Sequence, residues 1–244
     1  IVRRNDTVKS VVVSDTVSKL RSGAFWVRLS TPTTQAKIYY TLDGSDPNEQ
    51  SLLFKDSVKV DTTSTLKARA YASPRAPSAI TVQKYNLALP VNVFAGGNQT
   101  LILMSDGTLW GYGSNTYGEL GLGDKIKTVS KPVKIADSVV DASSGMYFSL
   151  FIKSDSSLWG MGNNDSGQLA DGTNTLRTTP VLITRGVRKA LAAHGLHSFV
   201  LKRDNSLWGA GNNLVGNLGT GNTTSPNMLV KIADSVVDMN GGLG

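Results

Sequence analysis

A chain of 244 residues with 40% hydrophobic and 18% charged side chains is long enough for one large or two ordinary globular domains, and too apolar for a disordered one. The absence of cysteine excludes disulfides, thiolate nucleophiles and sulfur-ligated zinc, and no stretch approaches the roughly 18 consecutive apolar residues of a membrane-spanning helix. Net charge is +7, but residues 1–90 hold 13 Lys/Arg against 7 Asp/Glu while residues 91–244 hold 12 against 11, and no basic run interleaved with aromatics marks a nucleic-acid surface.

The 25 glycines and 8 prolines, scattered among short runs of Val, Leu, Ile and Thr, predict an all-β protein of many short strands and tight turns. Residues 1–8 read as an N-terminal extension. Ile1-Val2-Arg3-Arg4-Asn5 is not followed by a signal-peptide core and no initiating Met is present, so the chain is expected to be a processed or excised piece of a longer protein. Residues 9–87 contain six or seven short strands spaced every 8 to 12 residues, the pattern of a two-sheet sandwich. The clearest is Lys37 to Leu42, which runs into Asp43-Gly44-Ser45-Asp46-Pro47, an Asx-type turn in which Asp and Ser side chains bond the backbone and Gly allows positive φ. Further strands are expected at Leu52 to Phe54, Ser57 to Val60, Thr65 to Tyr71 and Ile80 to Tyr85. The segments YYTLDGSDP and TLKARAY together resemble the C-terminal accessory domain of bacterial chitobiases and β-hexosaminidases. That resemblance implies an immunoglobulin or fibronectin type III-like fold, a non-catalytic spacer or adhesive role, and an extracellular or cell-surface bacterial setting. Residues 88–90 form the linker.

From residue 91 the chain repeats at an offset of 49 residues. Leu109-Trp110-Gly111, Leu158-Trp159-Gly160 and Leu207-Trp208-Gly209 superpose, preceded by Asp106, Asp155 and Asp204 and followed by Asn115, Asn164 and Asn213, then by Gly118, Gly167 and Gly216. The octamer Lys134 to Asp141 recurs unchanged as Lys231 to Asp238. A period of this length with one aromatic landmark per unit predicts β-propeller blades of four antiparallel strands. In the middle unit the four strands are expected near Phe148 to Lys153, Ser157 to Met161, Val181 to Thr184 and Val187 to Ala192, with units at about 91–142, 143–191 and 192–244. The run from Asp106 to Gly123, with Pro132 or Pro180 before the next strand, closely resembles the regulator of chromosome condensation repeat. Departures from it are Met146 where Gly97 and Gly195 stand, Ala170 where Gly121 and Gly219 stand, and Gln99 and Phe148 in place of His197. The resemblance implies a propeller of about seven blades, of which three fall here. Further blades of the same polypeptide are therefore expected, and Asn240 to Gly244 align with the start of a fourth unit.

Candidate chemistry reduces to structural duty. Asp106, Asp155 and Asp204 sit at the same hairpin of separate units and read as Asx-turn residues, and the three Trp, which could stack on sugars, read as packing between units. Gly118, Gly167 and Gly216 read as positive-φ, close-approach positions. Asp43 and Asp46 could hold calcium and His194 and His197 form an H-x-x-H, but turn formation accounts for the first pair, and the second would face different sides of a strand with no third ligand, His197 standing where the resembled repeat usually keeps a structural His. Neither a phosphate-cradling loop nor a nucleophile motif occurs, so no catalytic, cofactor-binding or metal-binding residue is assigned. Three functions follow as expectations. The first is a secreted or surface-bound binding scaffold for a protein or glycan. The others are a guanine-nucleotide-exchange-like or chromatin regulator, and an accessory module of a larger carbohydrate-active enzyme.

Overall fold

The computed structural model describes residues 7–14, 25–85, 87–124 and 126–240. The expected extension at Ile1 to Asn5 and fourth-unit start at Gly241 to Gly244 lie outside the described residues. Among the described residues every regular element is a strand, every sheet is antiparallel, and no helix is long and apolar enough to cross a membrane. Two compact units divide between Leu89 and Pro90.

Seven strands are described in the first unit: β1 (Val12–Ser14), β2 (Phe25–Ser30), β3 (Lys37–Thr41), β4 (Leu52–Leu53), β5 (Val58–Val60), β6 (Ser64–Tyr71) and β7 (Thr81–Tyr85). They form one sheet ordered β1-β2-β5 and a second ordered β4-β3-β6-β7. Alternation along each strand sends every second residue inward. Val27, Leu29, Val58 and Val60 of the first sheet therefore share one core with Ile38, Leu66, Ala68, Ala70 and Tyr85 of the second. The turn after β3 closes as its residues require: Asp43 Oδ1 accepts from Ser45 N at 2.9 Å and Ser45 Oγ at 2.6 Å, with Gly44 at φ +83°. Thr7 and Val8, expected in an extension, belong to this unit instead. Thr7 bridges Ala76, Val8 N donates to Ala76 O at 3.0 Å, and the Val8 side chain is buried in the core.

The second unit holds three four-stranded sheets among the described residues. Sheet I is β8 (Pro90–Ala95), β9 (Gln99–Met104), β10 (Leu109–Ser114) and β11 (Thr128–Ala136). Sheet II is β12 (Val139–Ser144), β13 (Phe148–Lys153), β14 (Leu158–Gly162) and β15 (Arg177–Thr184). Sheet III is β16 (Val187–Ala192), β17 (His197–Lys202), β18 (Leu207–Gly211) and β19 (Val230–Ala233). Each sheet is a meander, and its faces alternate down every strand. Leu101, Leu103, Leu109 and Leu120 of sheet I meet Val139, Ala142, Phe151 and Met161 of sheet II in one core. Leu150, Ile152, Leu158 and Leu169 of sheet II meet Val187, Ala190, Ala192 and Val200 of sheet III in the next.

The period is thus 49 residues, but its phase differs from expectation by one strand. Val187–Ala192, expected as the fourth strand of the middle unit, opens sheet III, and Val139–Ser144 is the first strand of sheet II. The cause lies in Asp137-Ser138, Arg185-Gly186 and Asp234-Ser235. These two-residue links have the composition of hairpin turns, and their second residue takes positive φ (58°, 72° and 60°). The first two carry the chain from the last strand of one sheet to the first of the next, and after all three the following amide returns to the preceding sheet: Val139 N to Gly107 O, Val187 N to Ser156 O and Val236 N to Asn205 O, at 2.8, 3.0 and 2.9 Å.

Candidate functional site

At the hairpin between the second and third strands of each sheet, a carboxylate, a hydroxyl and an indole form one relay. Thr108 N and Oγ1 donate to Asp106 Oδ1 (3.0 and 2.7 Å), and Trp110 Nε1 donates to Thr108 Oγ1 (2.9 Å). Ser157, Asp155 and Trp159 repeat this at 3.0, 2.5 and 2.9 Å, and Ser206, Asp204 and Trp208 at 3.0, 2.5 and 2.7 Å. The Ser157 hydroxyl and amide, with Arg185 at 3.0 Å, hold the Asp155 carboxyl down at about 2, and Ser206 lowers that of Asp204 in the same way. Carboxylates stabilised as anions in this manner are weak proton acceptors, and their geometry fixes a turn.

Two of the three indoles are not free platforms. Trp159 stacks on Phe151 with centroids 6.4 Å apart and Lys153 Nζ lies 4.8 Å from its ring; Lys202 Nζ lies 4.4 Å from the ring of Trp208. Trp159 packs against the core between sheets I and II, and Trp208 against the core between II and III. Trp110 is half-buried at the corresponding position of sheet I, whose face in that direction is covered by neither of the other two sheets.

The loops joining the third and fourth strands form the surface best built for recognition. Each is closed by a fully buried asparagine, whose Oδ1 accepts from the amide five residues on: Leu120, Leu169 and Leu218, all at 2.9 Å. Its Nδ2 donates to carbonyls across the loop, Gly123 and Ile126 for Asn115, Thr173 for Asn164, Asn222 and Thr224 for Asn213. Gly118 and Gly167 have φ of +76° and +80°, and a Cβ on either would stand 2.6 Å from a backbone carbon of the next sheet's edge, Thr178 Cα or Asn227 Cα. Only glycine fits there. Gly216 shares the φ, at +78°, but nothing lies within 4 Å of its missing Cβ.

Between the fixed Asn and Gly, each loop displays two residues that change from sheet to sheet: Thr116-Tyr117, Asp165-Ser166 and Leu214-Val215. Tyr117 meets Tyr147 of the β12–β13 loop at 4.9 Å, so both loop sets open on one end of the unit. Leu214 and Val215 are 72% and 87% exposed. A rigid frame bearing variable tips is a recognition surface in form.

His194 and His197 converge on no metal. Among the described residues no group of three or more His, Asp or Glu is placed to hold one, and the His197 ring meets Phe199 edge-on at 5.3 Å. Asp46 pairs with Lys67 at 2.7 Å while Asp43 is held by Ser45, so the two carboxylates serve separate contacts. Sequence reasoning missed a hydroxyl that ties the sheets together: Ser149 Oγ donates to Glu119 O and Ser198 Oγ to Gln168 O, both at 2.8 Å. Its signal was present, since Ser149 and Ser198 stand 49 residues apart and so do Glu119 and Gln168.

Residues 20–82 match the chitobiase/β-hexosaminidase C-terminal domain, and residues 91–119 and 106–152 match two models of the regulator of chromosome condensation (RCC1) repeat. No curated protein sequence is significantly similar to the chain. Among solved structures, human WBSCR16 is similar at 20% identity and a TM-score of 0.53, over 72% of this chain and 49% of its own. Yeast RCC1 (Prp20) in its complex with Kap60 is similar at 14% identity and 0.55, over 88% and 60%, and Prp20p from Saccharomyces cerevisiae at 14% and 0.55, over 88% and 62%. At these identities the likeness is one of fold. The chain spans between about half and three-fifths of the length of those structures.

Proposed function

From a chain that carries a chitobiase/β-hexosaminidase C-terminal domain and RCC1 repeats of a propeller, we infer a non-catalytic binding scaffold of a bacterial cell surface or secreted fraction. In this reading the first unit is an immunoglobulin-like sandwich serving as spacer, and the second is three blades of a propeller of about seven. The propeller offers its loop end to a protein or glycan partner. The observation that carries the reading is the contrast within each loop, an invariant buried asparagine and a glycine framing two variable positions, all exposed but the half-buried Ser166.

Prp20p is described with binding properties to Gsp1p and histones. A comparable regulator role for this chain is disfavoured by charge, as residues 91–244 carry a net of only +1.

Photo-crosslinking from position 223, exposed in the same loop, on intact bacterial cells, alongside a glycan array, tests the reading. A saturable cross-link that Leu214→Asp/Val215→Asp weakens at least tenfold, with the fold retained, is expected. Binding that ignores this double substitution, or hydrolysis of any arrayed glycan, would refute it.

A further inference from the structure

Among the described residues, the strands of the first unit carry six cations and no carboxylate; Asp43, Asp46, Glu49, Asp56 and Asp61 all stand in turns and loops. Four of the six belong to the sheet β4-β3-β6-β7. Leu66, Ala68 and Ala70 of β6 and Ile38 of β3 point into the core, so the residues alternating with them point outward. Cross-strand pairing sorts those outward residues into four successive rows: Lys84 beside Thr65, Lys67 beside Thr41, Arg69 beside Tyr39, and Lys37 beside Tyr71. Each row holds one cation. Rows two residues apart are separated by about 7 Å, so the cations run diagonally over about 20 Å from β7 across β6 to β3.

Only Lys67 is neutralised, by Asp46 of the β3–β4 loop at 2.7 Å. Lys37, Arg69 and Lys84 pair with no carboxylate among the described residues. Lys37 and Lys84 are exposed, while Arg69 is held in place: its Nε donates to Ser78 O at 2.8 Å, and its guanidinium carbon lies 5.8 Å from the centre of the Tyr71 ring. Tyr71 is fixed in turn, because its hydroxyl donates to Pro47 O at 2.9 Å and Tyr39 meets it edge-on at 5.6 Å. Like charges on neighbouring rows repel, and the fold has no need of them, since an outward position of a sheet accepts any polar residue. A line of one sign on a rigid face is complementary to a partner of the other sign.

We propose that this face binds a linear acidic polysaccharide whose sugars carry carboxylates. Arg69 has its Nε taken by Ser78 O, which leaves the two terminal nitrogens to grip a carboxylate end-on. Tyr39 and Thr65 bring hydroxyls to the same rows, suited to the hydroxyls of a sugar chain. Spacing selects against nucleic acid: a strand with a phosphate about every 3.4 Å is twice as dense in charge as these rows. Base stacking also needs open ring faces, and the ring of Tyr71 already carries the guanidinium. The exposed apolar side chains on this face, Leu53 and Val82, are too few to enter a bilayer. The unit assigned above as a spacer thereby becomes an anchor as well, through a surface that shares no residue with the loop tips of the other unit.

The test titrates the full 244-residue chain with polygalacturonate by calorimetry, with neutral dextran and oligo(dT) as comparisons, at low and at physiological salt. Expected is saturable binding of polygalacturonate that weakens as salt rises, with none of dextran. Lys37→Gln/Lys84→Gln breaks no side-chain hydrogen bond among the described residues and should weaken binding about fivefold; adding Arg69→Gln should bring the loss to about tenfold or more. If the triple variant loses its fold, the double variant still decides. Arg28→Gln/Lys59→Gln removes the same charge from the other sheet and should change binding by less than about twofold. Failure of polygalacturonate to bind at low salt, equal losses in the two double variants, or tighter binding of oligo(dT) would each overturn the proposal. The cross-link from the loop of the other unit does not depend on these cations, so the two readings fail separately.

Discussion

Replacing Asn164 by Ala removes the side chain that closes the loop after β14. Two backbone groups lose their partners, the buried Leu169 N–H from Oδ1 at 2.9 Å and the half-buried Thr173 C=O from Nδ2 at 2.9 Å. Each buried group stranded in this way costs about 1–3 kcal/mol, and entry of a water into the vacated space recovers part, which leaves a loss of about 3 kcal/mol. For a unit of some 150 residues that corresponds to a fall in Tm of about 6–12 °C. Asn164→Asp separates donor from acceptor. It keeps the acceptor for Leu169, but sets a second carboxylate 3.0 Å from Asp171 Oδ1 and abolishes the donor to Thr173, so at pH 7 its penalty should equal or exceed that of alanine. Asn174→Ala, which loses only exposed contacts, to Asp165 O and from Asn227 Nδ2, both at 3.0 Å, should stay within about 0.5 kcal/mol of the parent. Calorimetry gives the three Tm values, and hydrogen exchange at the Leu169 amide reports whether the loss is local. An Asn164→Ala protein melting within 2 °C of the parent, or an Asn164→Asp protein as stable as the parent, would refute the assignment of this asparagine as the loop's staple.

Gly167→Ala and Gly216→Ala share a positive φ and differ in what surrounds them. Gly216→Ala should cost about 1 kcal/mol for backbone strain alone, and Gly167→Ala about 3 kcal/mol because its methyl meets Asn227 Cα at 2.6 Å; equal losses in urea melts would contradict the packing described. Asp155 contributes stability above the ordinary carboxylate pKa of 3.8 that is lost as pH falls through about 2, so Ser157→Ala, which removes the largest cause of the depression, should shift that loss to higher pH. Carboxyl-carbon NMR titration reads this directly, and an unmoved Asp155 would count against it. Asp141 behaves oppositely, since burial raises its pKa and the folded state binds its proton more readily than the unfolded chain. Stability carried by this group therefore falls as pH rises through its folded pKa, and Asp141→Asn should stabilise at pH 7 and gain nothing below the ordinary carboxylate range. Denaturant midpoints at pH 7 and pH 3.5 check the sign.

Periodicity was legible in the residues because each sheet faces an equivalent neighbour and so needs the same side chains at the same places. The Trp relay, the loop asparagines and the turn at Asp43 could be read for that reason. Phase could not, because a repeat looks identical wherever its start is set, and Arg185-Gly186 has hairpin composition while acting as a link between sheets. Val8 was misplaced since a single apolar residue before the first strand has no period to belong to. Positions 116–117, 165–166 and 214–215 carry no shared pattern; the register of the flanking Asn and Gly aligns them, and the structure shows that they stand at loop tips.

The two-residue links have a consequence for how such a chain is edited. Sheets I and II each hand over to the next through a two-residue connection, and Lys134 to Asp141 is identical to Lys231 to Asp238, 97 residues later. An in-frame excision between those octamers would delete the equivalent of two sheets and leave the junction sequence unaltered, down to the Lys134–Asp137 ion pair at 2.6 Å and its twin, Lys231–Asp234 at 2.7 Å. Unequal recombination at the encoding DNA could therefore lengthen or shorten the array by whole sheets without creating a new joint for the protein to solve.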